Sequence, residues 1–195
     1  MKKLKILYLS KNMEGYKAAS YQYEVMNEVS KQAQVYFYGP GFEGYDLNDS
    51  IDEVLVKTPF ELDCIILGHS WLNDKDGGKV DPHPLLNLSS TNIPKIVILN
   101  KEYTNLDAKL TYIRENHFNI GFTHHHDVKN YTKSTNIEFN FWPFAFDSEK
   151  FNSITKEKNF DIGFSGVLQN LNKNADQSDI RVGIMNFFFH TLFDV

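Results

Sequence analysis

Residues 63–68 read DCIILG, a short run of apolar side chains that ends at a glycine. An uninterrupted apolar run of this length is typical of a strand buried on both faces, as the strands of a parallel sheet are. Stretches with helical spacing of apolar residues separate it from similar runs. Those runs begin at Lys5, Val35, Pro94, Phe118 and Ile137. The alternation predicts an α/β protein with a doubly wound, mostly parallel, Rossmann-like sheet.

The segments between these runs predict four helices, over 16–33, 51–58, 104–116 and 125–134. In the third, Asp107 follows Thr104 by three residues, which resembles a capping box and predicts the start of the helix. Residues 70–91 contain two prolines and the pair Gly77-Gly78, so we expect a long irregular loop with one helical turn. A loop of that size inside a compact domain is often functional.

The composition excludes several classes of protein. Of the 195 residues, 42% are hydrophobic and 14% are aromatic, which is ample for a buried core. The net charge of −5 argues against a nucleic-acid partner, because neutralising phosphates requires clustered Lys and Arg. No apolar run approaches the ~20 residues of a transmembrane helix, and the N-terminus lacks a signal-peptide pattern. Together with the single cysteine, Cys64, inside a predicted strand, these features predict a cytoplasmic protein.

The pattern divides the chain into two unequal parts. Residues 1–151 predict one complete Rossmann-like lobe, and residues 152–159, polar and without periodicity, predict a linker. Residues 160–166 (FDIGFSG) predict a strand that runs into a glycine turn, and an amphipathic helix is predicted from 178 to 195. This is the opening unit of a nucleotide-binding lobe. We therefore expect a second lobe that is cut short, and a helix that is mobile, docks its apolar face on the first lobe or drives self-association.

Polar residues follow several of the predicted strands, at the edge where parallel sheets bind ligands. His69 follows the strand at 63–68, as either a candidate general base or a loop histidine that bonds to the backbone. Lys101 and Glu102 follow the fourth strand and either bind a hydroxyl-rich or anionic substrate or form a surface ion pair. His124 opens a run of three histidines. Consecutive side chains point in different directions, so one histidine lining a cleft is favoured over a zinc site.

Glycine-rich phosphate motifs are absent from the loop after the first predicted strand. Residues 10–15 match neither GxGxxG nor GxxxxGK, which argues against a nicotinamide or flavin oxidoreductase and against a P-loop kinase. A later glycine turn, with Ser165 and Gly166, is followed by Arg181 in the first turn of the last helix. Such a turn holds phosphate oxygens in many proteins. The alternative is an ordinary strand-to-helix connection with Arg181 in solvent.

With these residues assigned to predicted strand ends and loops, the chain resembles the N-terminal half of a two-lobed, GT-B type glycosyltransferase. The resemblance is greatest to the bacterial spore-maturation-like group of glycosyltransferase family 1 relatives. It covers nearly the whole chain as a succession of pieces. These are Lys5–Leu9, Tyr36–Gly41, Asp63–Trp71, Ile93–Tyr103, Phe141–Phe151 and Lys158–Gly166 with Arg181.

The resemblance implies that the first lobe holds a carbohydrate-type acceptor and the second lobe a nucleotide-sugar donor. It implies neither a metal nor a cofactor. The implied residues are His69 as the catalytic residue, Trp71, Lys101, Glu102 and His124 for the acceptor, and Ser165, Gly166 and Arg181 for the donor. Because most of a donor lobe is missing, we expect the chain by itself to turn over no nucleotide sugar and to bind one at best with millimolar affinity.

A second interpretation comes from a different class of protein. In it, the chain is a non-catalytic, flavodoxin-like α/β module that binds a ligand or a protein partner. Continuation of the gene beyond Val195 into a second α/β half with an acidic donor-binding motif favours the enzyme, whereas a stop codon at that point favours the module.

Overall fold

The computed structural model describes residues 2–15, 20–72 and 81–143, which form a six-stranded sheet with helices on both faces. The strands are β1 Lys5–Leu9, β2 Gln34–Tyr38, β3 Cys64–Leu67, β4 Lys95–Leu99, β5 Ile120–Thr123 and β6 Glu138–Phe141. The helices are α1 Ser20–Gln32, α2 Ile51–Lys57, α3 Leu106–Glu115 and α4 Val128–Thr135. All neighbouring strands pair in parallel, so the predicted Rossmann-like parallel sheet is confirmed.

The strand order across the sheet is β2-β1-β3-β4-β5-β6. The chain runs outward from β1 to β2, crosses back past β1 to β3, and then continues in one direction to β6. The order therefore reverses between β1 and β3, where the register pairs Ile6 with Cys64 and Leu9 with Leu67. Open parallel sheets bind ligands at the carboxyl ends of the strands, at such a switch point. This edge is therefore the first place to search for a site.

The two faces of the sheet form separate cores, because successive side chains of a strand point to opposite faces. On one face, Met26 of α1 packs in a cluster with Ile6 and Tyr8 of β1. On the other face, α2, α3 and α4 contribute to a larger core that includes Val54 and Leu110. Burying one such side chain stabilises the fold by roughly 1.5–3 kcal/mol. Packing on both faces explains why the strands are continuous apolar runs.

The start of α3 differs from the prediction. The capping box expected at Thr104 and Asp107 is wrong, since the helix begins at Leu106. The preceding residue, Asn105, has a left-handed backbone (φ 51°), and its side chain makes no capping hydrogen bond. Thr104 N donates instead to Lys101 O at 3.1 Å. Thr104 therefore belongs to a turn before the helix, and the sequence spacing alone did not reveal that turn.

The connection from β3 to β4 contributes to the core. Its later part contains two short 3-10 turns, Pro84–Leu86 and Leu88–Ser90, where one helical turn was expected. Leu86 and Leu88 are buried in the same core cluster as Trp71. This connection is therefore packed against the sheet over its described residues.

Within the described ranges 2–15, 20–72 and 81–143, no helix is both long and apolar enough to cross a membrane. The predicted linker at 152–159 and the predicted second lobe at 160–195 lie outside the described residues. The division of the chain into two lobes therefore stays a prediction.

Candidate active site

The loops after β1 and β3 are joined to each other at the switch point. Ser70 Oγ lies 2.7 Å from Ser10 Oγ, within hydrogen-bond distance. Gly68, the residue after β3, packs closely on Tyr8, and a Cβ at this position would lie 2.4 Å from the Tyr8 ring. The chain on either side of His69 is therefore held in place. A histidine at this position is presented at the switch point by backbone packing.

His69 and His124 form a pair across the carboxyl ends of β3 and β5. Their Nε2 atoms lie 2.9 Å apart, and their rings are nearly parallel (12°) with centroids 5.1 Å apart. His69 is 5% exposed. His124 follows β5 directly, and β4 lies between the two strands. The sheet thus brings together two predicted site residues that are 55 positions apart in the chain.

The protonation of this pair follows from the atoms that it contacts. His124 Nδ1 lies 2.6 Å from the carbonyl oxygen of Trp142, which can only accept, so Nδ1 carries a hydrogen. In the neutral ring, His124 Nε2 then has a lone pair, and His69 Nε2–H donates to it. His69 Nδ1 is left with a lone pair. That atom is buried and has no hydrogen-bond partner in the part of the chain that the structure describes.

The electrostatics of the pair favour an uncharged His69. Burial, with a smaller contribution from the charge of His124, lowers the pKa of His69 to about 3. At neutral pH the ring is therefore neutral, and its Nδ1 lone pair can accept a hydrogen bond from a ligand. A ring with so low a pKa holds an added proton poorly. Proton transfer to His69 therefore requires a group that takes the proton onward.

Two aromatic side chains that the sequence pattern did not mark pack against His69, and an amide side chain bonds to one of them. The Tyr21 ring of α1 packs edge-on against the imidazole, with centroids 5.6 Å apart. Asn100 Nδ2 donates to the Tyr21 hydroxyl at 3.1 Å, which ties α1 to the end of β4. The Trp142 ring lies 5.9 Å from His69. Asn100 and Trp142 both follow predicted strands, so their position along the chain was the available signal, whereas nothing in the sequence marked Tyr21.

Glu102 supports the strand end that carries His124. The Thr123 hydroxyl, fully buried, donates to the Glu102 carboxylate and accepts a hydrogen bond from His125 N at 3.0 Å. Glu102 is therefore linked through Thr123 to the end of β5, one residue along the chain from His124.

Lys101 contributes through its backbone. Its φ of 52° is left-handed, and its carbonyl oxygen accepts a hydrogen bond from Lys109 Nζ at 3.2 Å. Lys109 is fully buried on α3 and also donates to Asn100 O at 3.0 Å. This lysine therefore holds the loop that carries Asn100 and Glu102. The sequence analysis missed it, because a lysine within a helix is usually exposed.

Trp71, the fourth predicted acceptor residue, lies in the larger core and is fully buried. Its ring stacks on that of His83, with centroids 6.4 Å apart and an angle of 24°. It also limits Gly39, where a Cβ would lie 3.0 Å from the indole. An acceptor could contact this ring only by displacing core side chains.

The remaining predicted site features are accounted for as follows. Across the described ranges, no group of three or more His, Cys, Asp or Glu side chains could hold a metal ion. His125 and His126 are exposed and stack on each other, with centroids 4.4 Å apart. Ser165, Gly166 and Arg181, predicted to bind the donor, lie outside the described residues.

Comparison with known proteins adds no assignment to this geometry. No protein-family model, no curated protein and no solved structure matches the chain.

Proposed function

We propose that residues 1–143 belong to the acceptor lobe of a glycosyltransferase, in which His69 takes a proton from a hydroxyl group of a carbohydrate-type acceptor. The observation that carries the proposal is the Nδ1 lone pair of His69, buried at the switch point of a parallel sheet and without a hydrogen-bond partner among the described residues. Such a lone pair can accept a hydrogen bond from a hydroxyl group of a ligand. An imidazole in this position is also a common general base.

The surroundings of His69 suit a saccharide. Carbohydrates present hydroxyl groups together with apolar C–H faces, so their sites combine polar atoms with aromatic rings. Tyr21 and Trp142 supply rings beside the imidazole, and Asn100 supplies an amide bonded to the Tyr21 hydroxyl. Because Nδ1 is buried, an acceptor reaches it when neighbouring groups move aside, as they do in enzymes whose sites close over their substrates.

The proposed reaction proceeds in one displacement. The acceptor oxygen forms a bond to the anomeric carbon of the donor sugar, and its proton moves to His69 Nδ1. The bond between the anomeric carbon and the diphosphate breaks, and its electron pair goes to the leaving phosphate oxygen. The donor would be held outside the described residues, where Ser165, Gly166 and Arg181 remain the candidates.

Saccharide binding by the full 195-residue chain tests this proposal. We would titrate the isotope-labelled protein with a panel of mono- and disaccharides and follow the backbone resonances by NMR. We expect at least one saccharide to shift the resonances of His69, Tyr21 and Asn100. Loss of one hydrogen bond in His69→Leu should weaken its binding about tenfold.

His126→Leu is the matched control, because it makes the same replacement at an exposed histidine in the loop after β5. It should bind the saccharide as the unmodified chain does. The proposal is wrong if no saccharide of the panel perturbs these residues, or if His69→Leu binds with undiminished affinity while remaining folded.

One observation favours a second candidate, a non-catalytic binding module. The order β2-β1-β3-β4-β5 is that of flavodoxin-like folds, with β6 added at one edge. A module of this kind would bind its ligand or protein partner independently of proton transfer at His69. Binding that survives His69→Leu and involves no saccharide would therefore favour the module.

A further inference from the structure

We propose that His124 is the proton relay of His69, held in the receiving tautomer by the carbonyl group of Trp142. The proposal rests on the proposed function for its role in a reaction, but the proton movement itself can be measured without any substrate. His124 was predicted to contact the acceptor, and its contacts assign it a different task. It is a positioning residue that acts through His69.

The relay consists of two consecutive transfers in one direction. A proton enters at His69 Nδ1, and the hydrogen on His69 Nε2 leaves for His124 Nε2, 2.9 Å away. One N–H bond forms on each ring and one breaks on His69, so His69 ends neutral and His124 ends as an imidazolium. His69 has changed tautomer, from Nε2–H to Nδ1–H. No oxidant, reductant or metal is needed for the balance.

The Trp142 carbonyl group makes this direction favourable. It lies 2.6 Å from His124 Nδ1 and accepts its hydrogen both before and after the transfer. A hydrogen bond from a charged donor is about twice as strong as one from a neutral donor, so the contact strengthens when His124 becomes positive. Trp142 N donates in turn to Thr123 O at 2.8 Å, which keeps the carbonyl-bearing residue beside β5.

The charged and titratable groups around the pair agree with positive charge on His124. Tyr21 faces His69 from α1, with its ring edge-on to the imidazole. On the His124 side, Glu102 bonds to Thr123, the residue before His124. Lys101 precedes Glu102, and His125 follows His124 and is exposed. Of these groups, Glu102 is the carboxylate, and it bonds to the neighbour of His124 in the chain.

The relay also removes a difficulty in the proposed function. His69 by itself is a poor base, because burial lowers its pKa to about 3. The relay moves the positive charge away from the buried His69, to the half-buried His124 and beside a carbonyl oxygen. Two rings coupled in this way take up one proton as a unit.

An NMR titration of the full chain with labelled histidine rings tests the relay. At neutral pH we expect hydrogen on Nε2 of His69 and on Nδ1 of His124. When acid is added, the first proton taken up by the pair should make His124 doubly protonated and should move the hydrogen of His69 from Nε2 to Nδ1. If His69 keeps its Nε2–H while His124 becomes charged, or if neutral His124 carries its hydrogen on Nε2, the relay is wrong.

His124→Gln separates the relay from simple hydrogen bonding. The glutamine amide can donate to Trp142 O and accept from His69 Nε2–H, but it cannot take up a proton. We expect His69 to keep Nε2–H in this variant and the tautomer change to be lost, whereas His126→Gln should preserve it. A tautomer change that persists in folded His124→Gln would overturn the proposal.

The titration of the unmodified chain decides the question even if the variant does not fold. The result is also independent of the saccharide experiment. A tautomer change without saccharide binding would leave the relay standing and remove the proposed function, and the reverse result would remove the relay alone.

Discussion

Two buried histidines lie in the connection between β3 and β4, and they differ in their partners. His69 is 5% exposed, bonds to His124 through Nε2, and borders polar groups from α1 and β4. His83 is fully buried, and both of its ring nitrogens lack a hydrogen-bond partner in the described part of the chain. Its ring lies among the rings of Tyr38, Tyr45 and Trp71, and it interacts electrostatically with the carboxylates of Asp49 and Asp81.

The comparison shows that burial of a histidine does not by itself indicate a site. The region around His83 belongs to the larger core, where the imidazole fills space between aromatic rings. The region around His69 has a directed chain of hydrogen bonds that ends in a lone pair. What distinguishes the candidate site is the hydrogen bond that the His69 ring makes to a second histidine. The following predictions test that distinction, from the largest expected effect to the smallest.

Trp71→Ala should cost the most stability. Removing a fully buried indole from the His83 side leaves a cavity, which lowers the free energy of unfolding by about 3–5 kcal/mol. Trp142→Ala, at the half-buried tryptophan beside His69, should cost clearly less. Urea denaturation of both variants measures the difference, with Trp71→Phe as the milder change. Equal losses of unfolding free energy would mean that Trp71 and Trp142 are packed equally well.

Acid should destabilise the protein through His69. Its pKa is near 6.5 in the unfolded chain and is lowered to about 3 by burial, so between these values the unfolded state binds more protons. The contribution of neutral His69 to the free energy of unfolding is therefore complete above pH 6.5. It is lost as the pH drops towards 3, by on the order of a few kcal/mol. Denaturation across this range should show a flatter dependence in His69→Leu. An unchanged slope in that variant would show that His69 is not buried in its neutral form.

The smallest predicted effect concerns two matched replacements, which should change the free energy of unfolding in opposite directions. His69→Leu leaves His124 Nε2 without its donor and should lower the free energy of unfolding at pH 7 by about 1 kcal/mol. His83→Leu removes two unpaired nitrogens from the core and should raise it by a similar amount. Thermal unfolding monitored by circular dichroism compares the two. If His83→Leu destabilises as much as His69→Leu, His83 has polar partners of its own.

Local patterns predicted the sheet well and helix starts less well. The six apolar runs are strands because a buried parallel strand requires apolar side chains on both faces, and this requirement is visible in consecutive residues. The start of α3 was wrong because Thr104 and Asp107 satisfy the spacing of a capping box while the backbone turns at Asn105. A spacing rule contains no information about that turn.

The same contrast applies to the site. His69 was identified because it follows an apolar strand, and strand ends are where such sheets bind ligands. Tyr21 and Lys109 were missed, since each looks like an ordinary helix residue until its contacts are known. Trp71 was placed among the acceptor residues by the family resemblance, but its side chain packs in the larger core.

The sequence by itself determined the alternation of strands and helices, the parallel sheet, and the position of His69 at a strand end, because these properties depend on the order of neighbouring residues. Only the tertiary structure decided that His124 lies against His69 and that Trp142 O sets its tautomer. Contacts between residues 55 positions apart depend on the order of strands across the sheet. Whether two atoms form a hydrogen bond depends on differences of a few tenths of an ångström in the distance between them. Neither quantity is present in a local pattern, so the chemistry of the site became visible only in the folded chain.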